Sequence, residues 1–127
     1  MINTGKHIIV EYKDKTIIGL CERVVVLGNN DKREVVARVD TGATKSSIDV
    51  RLAAKLGLGP IIKAKVIQSA LGNTVRPVVK ATIEIANKKI ESEFTLADRE
   101  QLKYQVLIGQ NILMNNGFLI DPSKKSH

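Results

Sequence analysis

The chain has 127 residues, 43% of them apolar, which suits one globular core and is too short for two. Lysine and arginine number 20 against 13 acids, a net charge of +7 that is spread along the chain, and the four aromatics, Tyr12, Phe94, Tyr104 and Phe118, are scattered. That pattern argues against a base-stacking nucleic-acid platform, and the longest uncharged stretch, residues 104–120, is too polar and too short to span a bilayer. The single cysteine, Cys21, cannot close an intrachain bridge and points to a reducing, cytoplasmic setting.

In chain order, the apolar residues mostly alternate or run in short β-branched blocks, the signature of strands. Residues 8–12 read as a loose first strand and 16–27 as a second. Gly28-Asn29-Asn30-Asp31 forms a turn, after which 33–39 returns as the partner of a hairpin. One helix is predicted over 49–57, with Asp49 as N-cap and Gly57 as its left-handed stop; Leu52 and Leu56 form its packing stripe. Further strands are expected at 63–69, 74–86, 89–96, 105–108 and 118–120, with turns at Leu71-Gly72-Asn73 and Ala86-Asn87-Lys88 and a helical turn after Gly109. Many short strands and one short helix predict an all-β domain over residues 1–127, a small barrel or sandwich. Residues 1–15 form an N-terminal extension in this reading, and 123–127 a fraying tail.

Little in the chain suits metal or cofactor chemistry. His7 and His127 stand near opposite ends, Cys21 is alone, and Gly57-Leu58-Gly59 is a helix exit rather than a phosphate cradle. Neither a metal nor another cofactor is expected. One constellation remains, Val36-Ala37-Arg38-Val39-Asp40-Thr41-Gly42-Ala43, a hydrophobic strand that runs into Asp-Thr-Gly. It suits a carboxylate at the end of a buried strand, with Gly42 admitting a close neighbour and the Thr41 hydroxyl holding the loop. Asp-Thr-Gly is also an ordinary turn sequence.

A second element, Val106-Leu107-Ile108-Gly109-Gln110-Asn111-Ile112-Leu113, completes a pattern that resembles the retropepsin-like aspartic peptidases. In that family a strand ending in two hydrophobic residues and glycine passes beside the Asp-Thr-Gly loop, and a hairpin flap lies between the two. Here Ile67-Gln68-Ser69-Ala70-Leu71-Gly72-Asn73-Thr74-Val75 occupies the flap's place. The resemblance spans residues 17–123 and is closest to the family often labelled RimK-associated or ATP-dependent zinc proteases. Its matching pieces are Ile18-Gly19 with Glu22, Arg38 through Ser46, Arg76-Pro77-Val78-Val79, Thr95-Leu96 with Asp98-Arg99, Leu107-Ile108-Gly109, and Ile120-Asp121-Pro122. These residues supply neither zinc ligands nor a nucleotide-phosphate loop.

The resemblance implies a small closed barrel of the retropepsin type and an aspartic endopeptidase. Such an enzyme needs two carboxylates sharing one proton, and the chain has a single Asp-Thr-Gly. The implied enzyme is therefore a homodimer in which each chain contributes Asp40, with Thr41 and Gly42 supporting the loop. Gly42, Ala43 and the flap residues Leu71, Gly72 and Asn73 are the implied substrate-binding residues, holding an extended peptide. Where retroviral enzymes carry an acid after Asp-Thr-Gly-Ala and an arginine after the later glycine, this chain has Thr44 and Gln110, so no charge is left unpaired. Arg76 and Lys80, leaving the flap, and Lys45 beside the loop would favour acidic, glutamate-rich peptides, in keeping with the family's association with a glutamate-adding ligase. Arg99 reads as a surface or loop-pairing residue. Two other readings stay open: a retropepsin-fold binding or scaffold module that does not cut, and a β-barrel whose Asp-Thr-Gly is only a turn. In the last, residues 107–109 would not lie beside 40–43.

Overall fold

The computed structural model describes residues 2–4, 7–9 and 11–125, with side chains from residue 11 onward. A hairpin of β1 (Ile2–Thr4) and β2 (His7–Ile9) precedes the main sheet. The expected strand over 8–12 thus ends at Ile9; residues 11 and 12 are irregular, and residue 10 lies outside the described residues.

Six strands close into a barrel. They are β4 (Cys21–Leu27), β5 (Lys32–Val39), β6 (Ser46–Asp49), β8 (Gly72–Ile85), β9 (Lys88–Ala97) and β10 (Val106–Ile108). Their circuit runs β4-β5-β10-β6-β9-β8 and returns to β4, where Val24 stands opposite Ile85 and Leu27 opposite Thr82. Closure removes the exposed edges that an open sandwich would have to protect. The length of β8 makes it possible. Its second half pairs with β4, while its first half leaves the barrel and pairs with β7 (Ile61–Ser69) as a projecting hairpin. The alternation read from the sequence supplies the core: Val24 and Val26, Ile83 and Ile85, and Phe94 and Ile108 all point inward and are buried.

The helix α1 (Val50–Leu56) plugs the barrel with Leu52, Ala53 and Leu56. Asp49 caps it, accepting from the backbone N–H of Arg51 at 3.1 Å and of Leu52 at 3.4 Å. Gly57 ends it at φ 70°, a left-handed turn that glycine adopts at low cost. The strand expected over 16–27 is instead two: β3 (Thr16–Ile18) and β4, broken at Gly19-Leu20. The break has a cause, because β3 pairs in parallel with β11 (Phe118–Ile120) while β4 turns into the barrel. A Cβ at Gly19 would lie 2.7 Å from the Lys124 carbonyl oxygen, and the Gly19 N–H donates to buried Glu22 at 2.8 Å. Lys124, within the segment expected to fray, donates from Nζ to the same Glu22 carboxylate at 2.6 Å; residues 126 and 127 lie outside the described residues. No helix among the described residues is long and apolar enough to cross a membrane.

Candidate active site

β5 delivers Asp40 to the edge of the barrel. Its ladder with β10 is parallel, setting Leu107 opposite Arg38 and Ile108 opposite Val39, and the Asp40 N–H adds one more rung to the Ile108 carbonyl at 2.9 Å. The chain then turns. Asp40 Oδ1 accepts from the Gly42 N–H at 2.9 Å and the Asp40 carbonyl accepts from the Ala43 N–H at 3.3 Å, a short Asx-type turn. Asp40 is half-buried, while Thr41 and Gly42 are exposed. Residues 107–109 therefore do lie beside 40–43, the arrangement that a chance turn sequence would not produce.

The loop is fastened to the start of α2 (Gln110–Leu113). The Gln110 N–H donates to the Ala43 carbonyl at 2.8 Å and the Asn111 N–H to the Thr44 carbonyl at 3.2 Å. Such closeness needs a glycine at 109, where a Cβ would stand 2.7 Å from the Lys45 carbonyl oxygen and 2.8 Å from that of Ala43. Gln110 Nε2 donates to the Thr41 carbonyl at 2.7 Å, so this tie to Thr41 runs through its backbone oxygen. Two residues that lie within the sequence motifs, and to which the sequence assigned no role, fix the assembly. Ser46 Oγ accepts from the Gly109 N–H at 2.9 Å and donates to Asn111 Oδ1 at 2.8 Å, which also accepts from the Ser46 N–H at 2.8 Å. Asn111 Nδ2 reaches Ser92 Oγ at 2.9 Å and the Glu93 carbonyl at 2.8 Å, riveting loop and helix to β9.

The β7–β8 hairpin stands where the flap was expected. Its turn sits at Ala70-Leu71, with Gly72 at φ 116° and Asn73 already in β8. Ser69 Oγ stiffens the turn, accepting from the Leu71 N–H at 3.2 Å and donating to the Gly72 carbonyl at 3.0 Å. Leu71 is fully exposed. Of the expected substrate-binding residues, Ala43 lines a cavity of about 240 Å³ beside the loop. Lys65, Ile67 and Arg76 of the hairpin strands form its wall, short of the turn itself, and Arg99 and Leu107 complete it.

Arg99 is more than the loop-pairing residue expected. Its N–H donates to Asp49 Oδ1 at 2.8 Å and its Nε to the Tyr104 carbonyl at 2.9 Å, and the side chain also faces the cavity. Burial, with the nearby Arg76 charge adding to it, draws the guanidinium below the ordinary arginine value, while Asp49 and Asp40 pull the other way. Lys80 departs from expectation as well. It lines a separate hollow of about 360 Å³ with Lys45, Lys63, Glu91 and Glu93. The ladder of β8 with β9 runs unbroken from Val78 to Ile85 and sets Lys80 opposite Glu93, four residues along the strand from Arg76, so the two cations line neighbouring hollows and not one cleft.

A family profile described as "Retropepsin-like aspartic endopeptidase RimB" matches residues 57–127, from the end of α1 through the flap, β10 and Gly109. No curated protein matches. Among solved structures, EIAV protease in complex with an inhibitor is 21% identical, with 88% of this chain and 99% of that one covered at a TM-score of 0.62. Lpg0085 of Legionella pneumophila, a protein of unknown function, is 19% identical over 87% of this chain and 95% of its own, at 0.61. Simian foamy virus protease is 18% identical over 76% and 97%, at 0.55. At these identities the three share the fold. The family match covers more than half of the chain, which therefore belongs to the RimB-like family of retropepsin-like aspartic endopeptidases.

Proposed function

We propose that this protein is a homodimeric aspartic endopeptidase in which Asp40 of each chain contributes one carboxylate to a single catalytic pair. The observation that carries the reading is the anchored loop: Asp40 is half-buried at a strand end, with its Oδ1 bound to the Gly42 N–H and its backbone bound to Ile108. Two such carboxylates brought together share one proton and titrate as one unit. The ionised member takes a proton from water, whose oxygen attacks the scissile carbonyl carbon. The protonated member gives its proton to the carbonyl oxygen. As the tetrahedral diol collapses, the carboxyl that took the water proton passes it to the amide nitrogen, and its partner recovers a proton from a diol hydroxyl. The C–N bond breaks, amine and carboxylic acid leave, and the pair again holds one proton.

Thr41 and Gly42 hold the loop in this reading. Gly42 and Ala43 border the substrate, and Leu71, Gly72 and Asn73 close over an extended peptide held largely by backbone hydrogen bonds. Support for the dimer comes from an apolar hollow of about 270 Å³ adjoining the loop, lined by Thr41, Gln110, Leu113, Met114, Phe118 and Ile120 among others. The cationic wall next to Ala43 supports acidic, glutamate-rich peptides as substrates. The alternative is a binding or scaffold module that does not cut. It draws on the extent of the family match, which includes the flap and stops short of Asp40.

The test is cleavage of a diverse peptide pool by wild type and Asp40→Asn, read by mass spectrometry from acid to neutral pH. Cuts made by wild type and lost in the variant, which should fold normally, are the expected result. An intact pool with a stable wild-type dimer in solution would transfer the weight to the binding module.

A further inference from the structure

The cavity beside Ala43 carries four cations, Lys45, Lys65, Arg76 and Arg99, and no acidic side chain lines it. Lys45 is engaged elsewhere, donating to Glu93 at 3.1 Å. Among the described residues neither Lys65 nor Arg76 forms an ion pair, yet the ladder sets them directly opposite one another on the two flap strands. Like charges placed across an antiparallel pair repel and destabilise the hairpin. Arg99 adds a third cation to the same space, and its guanidinium is perturbed by Arg76. An arrangement that costs free energy when empty is relieved when an anion enters it.

The size of the cavity narrows the choice of anion. At about 240 Å³ it falls below the range of roughly 300–1,000 Å³ usual for whole small-molecule ligands, and suits a single side chain with water. No aromatic ring lines it, so it offers no stacking surface for a nucleotide base. Its walls are the flap strands and the Ala43 loop, between which an extended peptide would lie. We propose that this cavity is the subsite for an acidic side chain of the peptide substrate, and that Lys65, Arg76 and Arg99 are its specificity-determining residues. The proposal rests on the peptidase reading for the nature of its ligand, and assigns the acidic preference to Lys65 and Arg99 in place of Lys80.

Binding and cleavage test it separately. In the Asp40→Asn background, a fluorescein-labelled Glu-Ala repeat peptide should bind about tenfold more tightly than its Gln-Ala counterpart at low salt, the scale of a charge-assisted hydrogen bond. Arg76→Gln and Lys65→Gln, neither of which removes a backbone anchor, should each erase most of that preference. Lys55→Gln, an exposed lysine on α1, should keep it, which separates the subsite from general attraction to a basic protein. Equal binding of the two peptides, or a preference that survives both flap variants, overturns the subsite. Wild type cutting both peptides at equal kcat/KM overturns it too, while leaving the peptidase reading in place. Selective binding of the glutamate peptide with no cleavage by wild type overturns the peptidase reading and leaves the subsite standing.

Discussion

Asp40 and Asn111 stand at two ends of one small framework, the first offering a carboxylate and the second holding the loop that presents it. Asn111 satisfies four groups at once: the N–H and hydroxyl of Ser46, the hydroxyl of Ser92 and the carbonyl of Glu93. Truncation to alanine strands these partners in a partly buried setting, where each unmet polar group is costly. Asn111→Ala should therefore lower stability by roughly 2–3 kcal/mol, measured by denaturant unfolding. A loss under about 0.5 kcal/mol would mean that water replaces the side chain without penalty. Asp40 could be picked out from the sequence because a carboxylate at a strand end followed by Thr-Gly is a compact local pattern. Asn111 could not, since its side-chain partners lie 65, 19 and 18 positions away and nothing local marks it.

The elements around the site are short, and their neighbours decide what each does. β10 has three residues, yet it lies between β5 and β6 and sets the height of the Asp40 loop. β6 was absent from the pattern because Ser46-Ser47 reads as polar loop; in the fold both serines are buried, with Ser46 bonded to Gly109 and Asn111. The β7–β9 corner gives a pH prediction. Glu93 accepts from Lys63 at 3.0 Å and Lys45 at 3.1 Å, and these hydrogen bonds, Lys63 first, hold its carboxyl below the ordinary glutamate value against an opposing effect of burial. A carboxyl lowered by folding adds stability above its unfolded value and loses it as pH falls through the folded one. Wild type should thus exceed Glu93→Gln in Tm near neutrality, and the gap should close between about pH 5 and pH 3. A gap that stays constant through that window would show that the ion pairs contribute nothing.

At the scale of the whole molecule, the single Asp-Thr-Gly makes the proposed activity a property of two chains. The apolar hollow next to Thr41, with Met114 59% exposed at its edge, is where the second copy would be felt. Met114→Glu should leave the Tm of the monomer within about 1 °C, because exposed substitutions away from the core change stability little. Sedimentation should show a weaker dimer, and specific activity should fall more steeply on dilution than for wild type. Unchanged self-association would move the interface to another face. The sequence by itself determined most of the strands, the capped helix over Asp49 to Gly57, the hairpin that precedes β9 and the Asp-Thr-Gly turn, since alternation, capping and turn chemistry act over a few neighbouring residues. Barrel rather than sandwich, the break at Gly19, the seat of Lys80 and the gathering of Lys65, Arg76 and Arg99 were decided by tertiary structure alone. They depend on which strands meet across the closed circuit and in what register, and neither is written in any local stretch of sequence.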